Sequence, residues 1–353
     1  AANSVSCAGI EHKLGIHGSA TCVMNFDNSR GWLIGEPNGG LKCMFTMMNH
    51  ARLWVGLQGL AQCEAAFQAA LAYARERRQG RNSSGDGSAS ADPIIGHPDV
   101  RRMLLTQKAL IEGGRVLIYF TGMQMDRALH HPDPAERERA DGLLAFLTPV
   151  AKGFVTERSL ECTSLAIQVH GGHGYVRETG VEQYFRDARI TTIYEGTNGI
   201  QALDLLGRKV LGSGGELARL LGGLIGSFCE RHARSEELAE FVTRLAGLLK
   251  EWSEATEMIA GRAALDPDEM GAAAMDYLEF TGYLCLAWCW ARMAAVSFAA
   301  LHKGQADADF HKAKIATARF YFRRLLPRAE AHLDALGAGA RTLMELPPGQ
   351  FAF

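Results

Sequence analysis

The sequence lacks the cysteine spacings that bind zinc or form a redox-active pair. Its eight cysteines stand singly, without a Cys-x-x-Cys motif, and no cysteine–histidine spacing gathers four metal ligands. A metal site is therefore not expected. Single thiols suit a reducing compartment, and the first fifteen residues show neither the basic nor the apolar segment of a secretory signal, so we expect a cytoplasmic location.

A basic surface is also lacking. The chain has a net charge of -2, with 37 Lys and Arg residues against 39 Asp and Glu residues. Residues 213–353 hold 15 basic and 18 acidic side chains, so this part also lacks the positive field that attracts phosphate groups. We therefore expect no nucleic acid partner.

Long apolar runs are scarce as well. Only residues 283–301, YLCLAWCWARMAAVSFAAL, approach the roughly 20 residues that cross a bilayer. Arg292 lies at the centre of this run, where a charge costs roughly 2.5–3.5 kcal/mol. The run is therefore predicted to form a buried core helix rather than a membrane span, with Cys285 and Cys289 as buried thiols.

The sequence begins with strand-like segments and continues with long helical ones. Residues 21–26 and 32–34 are short apolar runs separated by polar and glycine-containing turns. Residues 41–78 contain no proline and end in the basic stretch RERR, which is typical of a helix C-terminus. A polar loop is predicted over residues 80–93.

Further helices follow this loop. Pro98 opens a helix in which apolar pairs recur every seven residues, and another helix runs from about 135 to 170 before a glycine cluster. Residues 199–211 and several Ala- and Leu-rich segments up to about 336 also have helical patterns. The glycine-rich stretch 212–215 is the best internal boundary. These patterns predict a mainly α fold built on a helical bundle.

Two short motifs leave their chemistry open when each is taken alone. Glu195 lies between Tyr194 and Gly196, and it is either a solvated carboxylate or, in an apolar cleft, a general base. Gln168 precedes Gly171 and Gly172, which form either a helix C-cap with a turn or a backbone site for an anion.

The complete run from 168 to 201, QVHGGHGYVRETGVEQYFRDARITTIYEGTNGIQ, resembles the C-terminal signature of the acyl-CoA dehydrogenase family. The blocks Gln-x-x-Gly-Gly-x-Gly-Tyr, Arg-Asp-Ala-Arg and Ile-Tyr-Glu-Gly-Thr-x-x-Ile-Gln stand in the family's order and spacing. Residues 11–26 resemble the end of its middle β domain, and residues 47–81 resemble the first helix of its C-terminal bundle. Residues 91–109 resemble the longer bacterial branch that includes 3-methylmercaptopropionyl-CoA dehydrogenases.

The resemblance implies three parts. Residues 1–40 correspond to a remnant of the middle β domain, and residues 41–212 to the C-terminal four-helix bundle. Residues 213–353 correspond to the additional helical region of the longer branch. The implied fold class is mainly α, with a small β remnant.

The resemblance also implies an active site. Glu195 matches the base that takes the α-proton of an acyl-CoA thioester, while the β-hydrogen leaves as hydride to N5 of FAD. Arg52, Tyr194 and Gly196 are the implied substrate-binding residues, and the alternative for Arg52 is a solvated helix residue. The implied contacts to FAD are Arg77, Gln79, Gln168, Gly171, Gly172, Thr197 and Gln201.

Partners follow from the same resemblance. All the implied FAD contacts before Thr197 match positions that reach the dinucleotide of a neighbouring subunit, which implies a homo-oligomer and, in the parent enzyme, a tetramer. The family passes its electrons to an electron-transfer flavoprotein. Two alternatives remain open: a non-catalytic helical assembly module, and an acyl-CoA oxidase whose reduced flavin reacts with oxygen.

The segments that in the family hold the flavin ring and cover the acyl chain have no counterpart in these 353 residues. We therefore expect the chain to be a truncated, inactive portion of the enzyme, and we predict that it purifies without colour. Lost contacts to the ring should weaken FAD binding by several steps of about 1.4 kcal/mol, each worth tenfold. Absorbance of the purified chain checks this, and a flavin band near stoichiometric would contradict it.

Overall fold

Three long helices form the first half of the structure. The computed structural model describes residues 3–82, 90–304 and 307–352. Helix α1 spans Gly40–Glu76, α2 spans Pro98–His130 and α3 spans Pro134–His170. These bounds confirm the predicted helices to within a few residues. Part of the predicted loop over 80–93 lies outside the described residues.

Helices α1 and α3 run in parallel, with α2 packed against both. Gly59 of α1 faces Thr156 of α3, and further along both helices the ring of Tyr73 stacks on His170 at 4.4 Å. The C-terminal ends of α1 and α3 therefore lie side by side. The predicted apolar pairs of α2 are all buried at this interface: Met103, Leu104, Leu110, Ile111, Leu117 and Ile118.

A two-stranded antiparallel sheet precedes the helices. Strand β1 spans Val5–Ile10 and β2 spans Cys22–Phe26, with Val5 opposite Phe26 and a bulge between Cys7 and Gly9. The predicted run at 21–26 is thus a strand. The run at 32–34 is not, because it pairs with no strand and its side chains are exposed.

The loop between the strands contacts a short helix after α3. Helix α4 spans Val181–Ala188. The side chain of Asp187 accepts a hydrogen bond from the backbone N–H of Ile16 at 2.6 Å, and Arg186 donates to the carbonyl of Leu14 at 2.9 Å. This contact joins the hairpin to the bundle through the middle of the predicted signature.

The predicted helix over 199–211 is divided. Helix α5 spans only Asn198–Leu203, and residues Asp204–Val210 form a wider π-helical segment. The change begins at Asp204, whose carboxylate binds Arg52 of α1 and Arg208 within the segment itself. Such wider turns inside helices are often found at functional sites. The prediction of a helix over 199–211 is confirmed, and the change from α- to π-helical turns at Asp204 is an addition to it.

The second half of the chain is also helical. Its helices are α6 (Glu216–His232), α7 (Ala239–Ala263), α8 (Asp268–His302), α9 (Ala308–Phe320), α10 (Arg328–Ala338) and α11 (Arg341–Met344). A second π-helical segment, Tyr321–Leu325, follows α9.

Helix α8 contains the apolar run that the sequence singled out. By length and composition, one helix of the described residues could cross a membrane, and it is this one. Every residue from 277 to 291 is buried, and α8 packs against α2, α3, α5, α7, α9 and α10. The prediction of a buried helix with buried thiols at Cys285 and Cys289 is confirmed.

Close contact between α8 and α3 requires a glycine at position 282. A Cβ atom there would overlap the ring of Phe154, which is itself fully buried. We predict that Gly282→Ala lowers the free energy of unfolding by about 1–3 kcal/mol, because an overpacked core forces its neighbours to move. Thermal or denaturant unfolding of the chain measures this.

Gly271→Ala is the matched control on the same helix. A Cβ atom at this exposed position meets nothing within 4 Å, so the helix propensity of alanine should stabilise the chain by up to about 1 kcal/mol. Equal effects of the two substitutions would contradict the proposed steric role of Gly282.

Candidate active site

The predicted base lies in a tight turn between α4 and α5. Glu195 has a φ of 57° and Gly196 a φ of 86°, so two consecutive residues adopt the left-handed conformation. For a non-glycine residue this costs roughly 1–3 kcal/mol and persists only where the surroundings hold it. The local sequence alone therefore does not explain the conformation of Glu195.

Side chains on both sides hold this turn. Thr197 caps α5, its hydroxyl accepting a hydrogen bond from the N–H of Ile200 at 3.2 Å. The Tyr194 hydroxyl donates to the side chain of Gln58 on α1, and burial raises the pKa of this phenol. Gln201 donates to the backbone carbonyl of Glu195 at 3.3 Å. The turn is thus attached to α1 and to the first turns of α5.

Gly196 leaves room for no side chain. A Cβ atom there would lie 2.8 Å from Nε2 of Gln201 and 3.8 Å from Nη2 of Arg52. Gly196 is therefore required by its positive φ and by the close approach of Gln201. It also shows that Arg52, predicted as a substrate-binding residue, reaches the turn.

Arg52 is a buried residue in a charge pair and not a solvated one. Its Nη1 lies 3.3 Å from Oδ2 of Asp204, and both side chains are largely buried. Its Nε makes no hydrogen bond within the described chain. A buried pair of this kind is stable only when both partners are present, so Asp204 fixes the place of Arg52 beside the turn.

A buried lysine lies beneath the turn. Lys152 of α3 is fully buried and donates to the carbonyl of Gly196 at 2.7 Å and to the side-chain oxygen of Asn198 at 2.8 Å. The amide nitrogen of Asn198 in turn donates to Glu157 at 2.8 Å. Lys152 and Asn198 therefore connect the turn to α3 through its backbone and side chains.

Burial lowers the pKa of Lys152 from its usual 10.5 to about 8, because the buried ammonium group loses its hydration. The negative charge of Glu157 opposes this shift, the positive charge of Arg52 adds to it, and the charge of Glu195 opposes it. Lys152 thus belongs to the same electrostatic environment as the predicted base and Arg52.

Three polar atoms around the turn are buried and unpaired in the described residues. They are Oε2 of Glu195, Oε1 of Gln201 and Nε of Arg52. Buried polar atoms normally have a hydrogen-bond partner, and exceptions call for an explanation such as a ligand or a catalytic role. Two of these atoms are acceptors and one is a donor, and each has capacity for one further hydrogen bond.

The other predicted FAD contacts form a separate cluster. Arg77 and Gln79 follow the end of α1, while Gln168, Gly171 and Gly172 lie at the end of α3, and all five are exposed. A Cβ atom at either glycine would meet nothing within 4 Å. Because α1 and α3 are parallel, the cluster lies at one end of the bundle. We call it the end cluster.

The end cluster lies far from Glu195. Arg52 and Arg77 are on one helix, and a rise of 1.5 Å per residue separates them by roughly 37 Å. The structure therefore brings Arg52, Tyr194, Gly196, Thr197 and Gln201 together around Glu195 and places the other five predicted residues elsewhere.

Two histidines of the glycine motif serve to pack the end cluster. His170 stacks on Tyr73, its Nδ1 lies 2.8 Å from the carbonyl of Ala166, and burial lowers its pKa. Nδ1 of His173 lies 2.7 Å from the hydroxyl of the same tyrosine. In the described ranges, no group of three or more His, Cys, Asp or Glu residues is arranged to hold a metal ion.

Sequence reasoning did not identify Lys152, Asn198 or Asp204. Lys152 offered one signal, since it is the single charge in the apolar stretch TPVAKGFV of residues 148–155. Asn198 and Asp204 offered none, because both types of residue are common near helix starts and on helix surfaces.

Two family models match the chain. A family model described as acyl-CoA dehydrogenase, C-terminal domain, matches residues 38–211. A second model, described as acetyl-CoA dehydrogenase C-terminal like, matches residues 221–347. The chain belongs to the acyl-CoA dehydrogenase family. The division predicted at 212–215 lies between the two matches but stays a prediction.

Two curated relatives match most of the chain. The chain is 46% identical to the 3-methylmercaptopropionyl-CoA dehydrogenase of Ruegeria pomeroyi, over 93% of this chain and 56% of the relative. It is 34% identical to a butyryl-CoA dehydrogenase of Syntrophomonas wolfei, over 98% and 58%. The chain spans somewhat more than half the length of these curated relatives.

A solved structure shares the fold. The acyl-CoA dehydrogenase complexed with FAD from Bacillus anthracis matches with a TM-score of 0.76 at 20% identity, over 97% of this chain and 59% of that chain. The match extends beyond the first bundle, so the helices after residue 213 belong to the shared fold.

We predict a pH dependence of stability from Lys152. The folded state releases the lysine proton near pH 8 and the unfolded chain near 10.5, so between these values the unfolded state binds more protons. The contribution of Lys152 to the free energy of unfolding therefore rises with pH in this window and is constant below it. Urea unfolding of the unaltered chain and of Lys152→Met across pH 7–10.5 measures the difference.

Lys250→Met provides the control, since this lysine side chain on α7 is 77% exposed. Its removal deletes the same charge without changing a buried group, and the slope with pH should match that of the unaltered chain. If Lys152→Met retained the full slope between pH 8 and 10.5, the assigned titration would be wrong.

Proposed function

We propose that the protein oxidises an acyl-CoA thioester to its α,β-unsaturated product with FAD as cofactor, and that Glu195 is the base. One observation carries this proposal. The carboxylate oxygen Oε2 of Glu195 is buried without a hydrogen-bond partner in the described residues, on a turn that its neighbours hold in a left-handed conformation. An unpaired carboxylate fixed in this way suits proton abstraction.

The chemistry requires a base because a thioester α-proton is weakly acidic. Glu195 takes this proton. The turn that fixes the carboxylate also fixes the Glu195 backbone N–H, which is suited to donate to the thioester oxygen as negative charge develops there. Arg52 adds a positive charge beside the turn, held in place by Asp204.

The residues around Glu195 fit a bound flavin. Gln201 presents a buried side-chain oxygen without a partner, which suits a donor on the cofactor, and Thr197 lies exposed at the start of α5. FAD, when bound, supplies the acceptor for the hydride that leaves the β-carbon. The fold is shared with an acyl-CoA dehydrogenase solved with FAD, which supports this choice of cofactor.

The end cluster suits a second role in a homo-oligomer. Its arginine, glutamines and open glycines are exposed and lie roughly 37 Å along α1 from Arg52. We assign it to the FAD of a neighbouring copy, in a tetramer, and we assign reoxidation of the flavin to an electron-transfer flavoprotein. The relatives named as dehydrogenases for 3-methylmercaptopropionyl-CoA and butyryl-CoA support a short acyl-CoA as substrate.

The test is Glu195→Gln in the flavin-loaded full-length parent enzyme. The amide keeps the size of the side chain but does not accept the proton, so we predict unchanged binding of FAD and acyl-CoA and a turnover lower by roughly 10²–10⁴-fold. Reduction of an artificial electron acceptor measures turnover, and flavin absorbance measures binding.

Glu178→Gln is the control, because Glu178 is exposed in a turn outside the site. It should leave turnover unchanged. Near-normal turnover in Glu195→Gln would exclude Glu195 as the base, and oxygen consumption without an added acceptor would indicate an oxidase.

A further inference from the structure

Lys152 of α3 contacts the turn that carries the predicted base, Glu195. We propose that Lys152 is a positioning residue, which holds the Glu195–Gly196 turn in its left-handed conformation by a charged hydrogen bond to the carbonyl of Gly196. This inference rests on the proposed role of Glu195 for its functional meaning. Its structural part depends only on the contacts between α3 and the turn.

The first argument is the strain of the turn. Two successive residues with positive φ need contacts that fix their peptide groups. Within the described chain, side-chain donors reach these carbonyls from two residues only. Gln201 lies at 3.3 Å from the carbonyl of Glu195 and 3.5 Å from that of Gly196, whereas Lys152 lies at 2.7 Å from Gly196. The bond from Lys152 is the shorter one and carries a charge.

The second argument is the way in which Lys152 is paired. A buried cation normally binds a carboxylate, as Arg158 does one turn and a half further along α3, with Glu279 at 3.0 Å. Neither hydrogen-bond acceptor of Lys152 is a carboxylate, since one is a backbone carbonyl and the other the amide oxygen of Asn198. A cation placed for packing alone would not need these two acceptors on the turn and α5.

The third argument is the charge that surrounds the site. Three charged groups act on Lys152: Glu157 on its own helix, Arg52 on α1 and Glu195 on the turn. Asp204 pairs with Arg52, and Asn198 binds Glu157. The carboxylate of Glu195 has a buried oxygen without a hydrogen bond, so the ammonium group of Lys152 acts as a countercharge held on the opposite side of the turn.

The experiment compares three substitutions at this position by amide hydrogen exchange. Lys152→Met removes both donor and charge, Lys152→Gln keeps a donor without charge, and Lys152→Arg keeps both. Backbone amides of residues 194 and 201 report on the turn, because they are hydrogen-bonded to Ile190 and Thr197 in the structure. This measurement uses the 353-residue chain without FAD or acyl-CoA.

Lys152→Met should raise the exchange rate of these amides about tenfold, as expected for loss of a charged hydrogen bond. Lys152→Arg should restore slow exchange, and Lys152→Gln should fall between the two. The control is Thr163→Val, which removes another fully buried polar group of α3, a hydroxyl that donates to backbone carbonyls of its own helix. It should leave residues 194–201 unchanged.

Turnover in the flavin-loaded full-length parent enzyme provides the second readout. Lys152→Met should lower kcat about tenfold or more with little change in KM, and Lys152→Arg should recover part of the loss. Unchanged exchange at residues 194–201 in Lys152→Met would overturn the proposal, as would equal effects of Met and Arg. Faster exchange combined with normal turnover in Glu195→Gln would leave the positioning role intact and refute the role of Glu195.

Discussion

The attachment of one turn to helix α3 is the constraint on which the site depends. The side chain of Asn198 forms this attachment. It accepts a hydrogen bond from Lys152, and it donates to Glu157 and to the carbonyl of Gly153 at 3.2 Å. A single amide therefore binds groups at three positions of the helix, 152, 153 and 157. Without this attachment α5 would have no fixed start, and the left-handed residues before it would lack the support that offsets their strain.

Helix α8 extends the same constraint into the second half of the chain. It packs against α3 and α5 at once, and its Gly282 lies directly on Phe154, two residues after Lys152. Helix α3, which contacts the turn through Lys152, is thus itself packed against α8. Arg158 and Glu279 add a charged contact across the same interface at 3.0 Å. The helices after residue 213 therefore contact both α3, which carries Lys152, and α5, which follows the turn.

The sequence predicted the helices well because their signal is local and repeated. The apolar pairs of α2 recur every seven residues, and proline and glycine mark the ends of α2 and α3. The strand assigned to residues 32–34 was wrong because a three-residue apolar run carries too little pattern to separate a strand from an exposed loop. The helix predicted over 199–211 is present, but its change to π-helical turns at Asp204 was not predicted. Asp204 pairs with Arg52, 152 positions earlier, and no local pattern shows such a contact.

The site was predicted only in part for a similar reason. The signature motif identified Glu195 and its immediate neighbours, and it also identified residues that the structure places at the end cluster. Lys152 and Asp204 make their contacts across the fold. The single charge of Lys152 in an apolar stretch was a local signal that it is unusual, but no local pattern identified its acceptors or the ion pair of Asp204 with Arg52. The signature identified the residues of the turn, whereas the residues that contact the turn from α1 and α3 are visible only once the helices are packed.

Helix α1 joins the two groups of predicted residues as a continuous rod. It carries Arg52 about a third of the way along and ends just before Arg77, and it contains no proline. An insertion of one residue between these arginines would move the end of the helix by about 1.5 Å and rotate it by about 100° relative to Arg52. The length of this segment is therefore as tightly constrained as its composition, and relatives should vary here by exchange of side chains and not by gain or loss of residues.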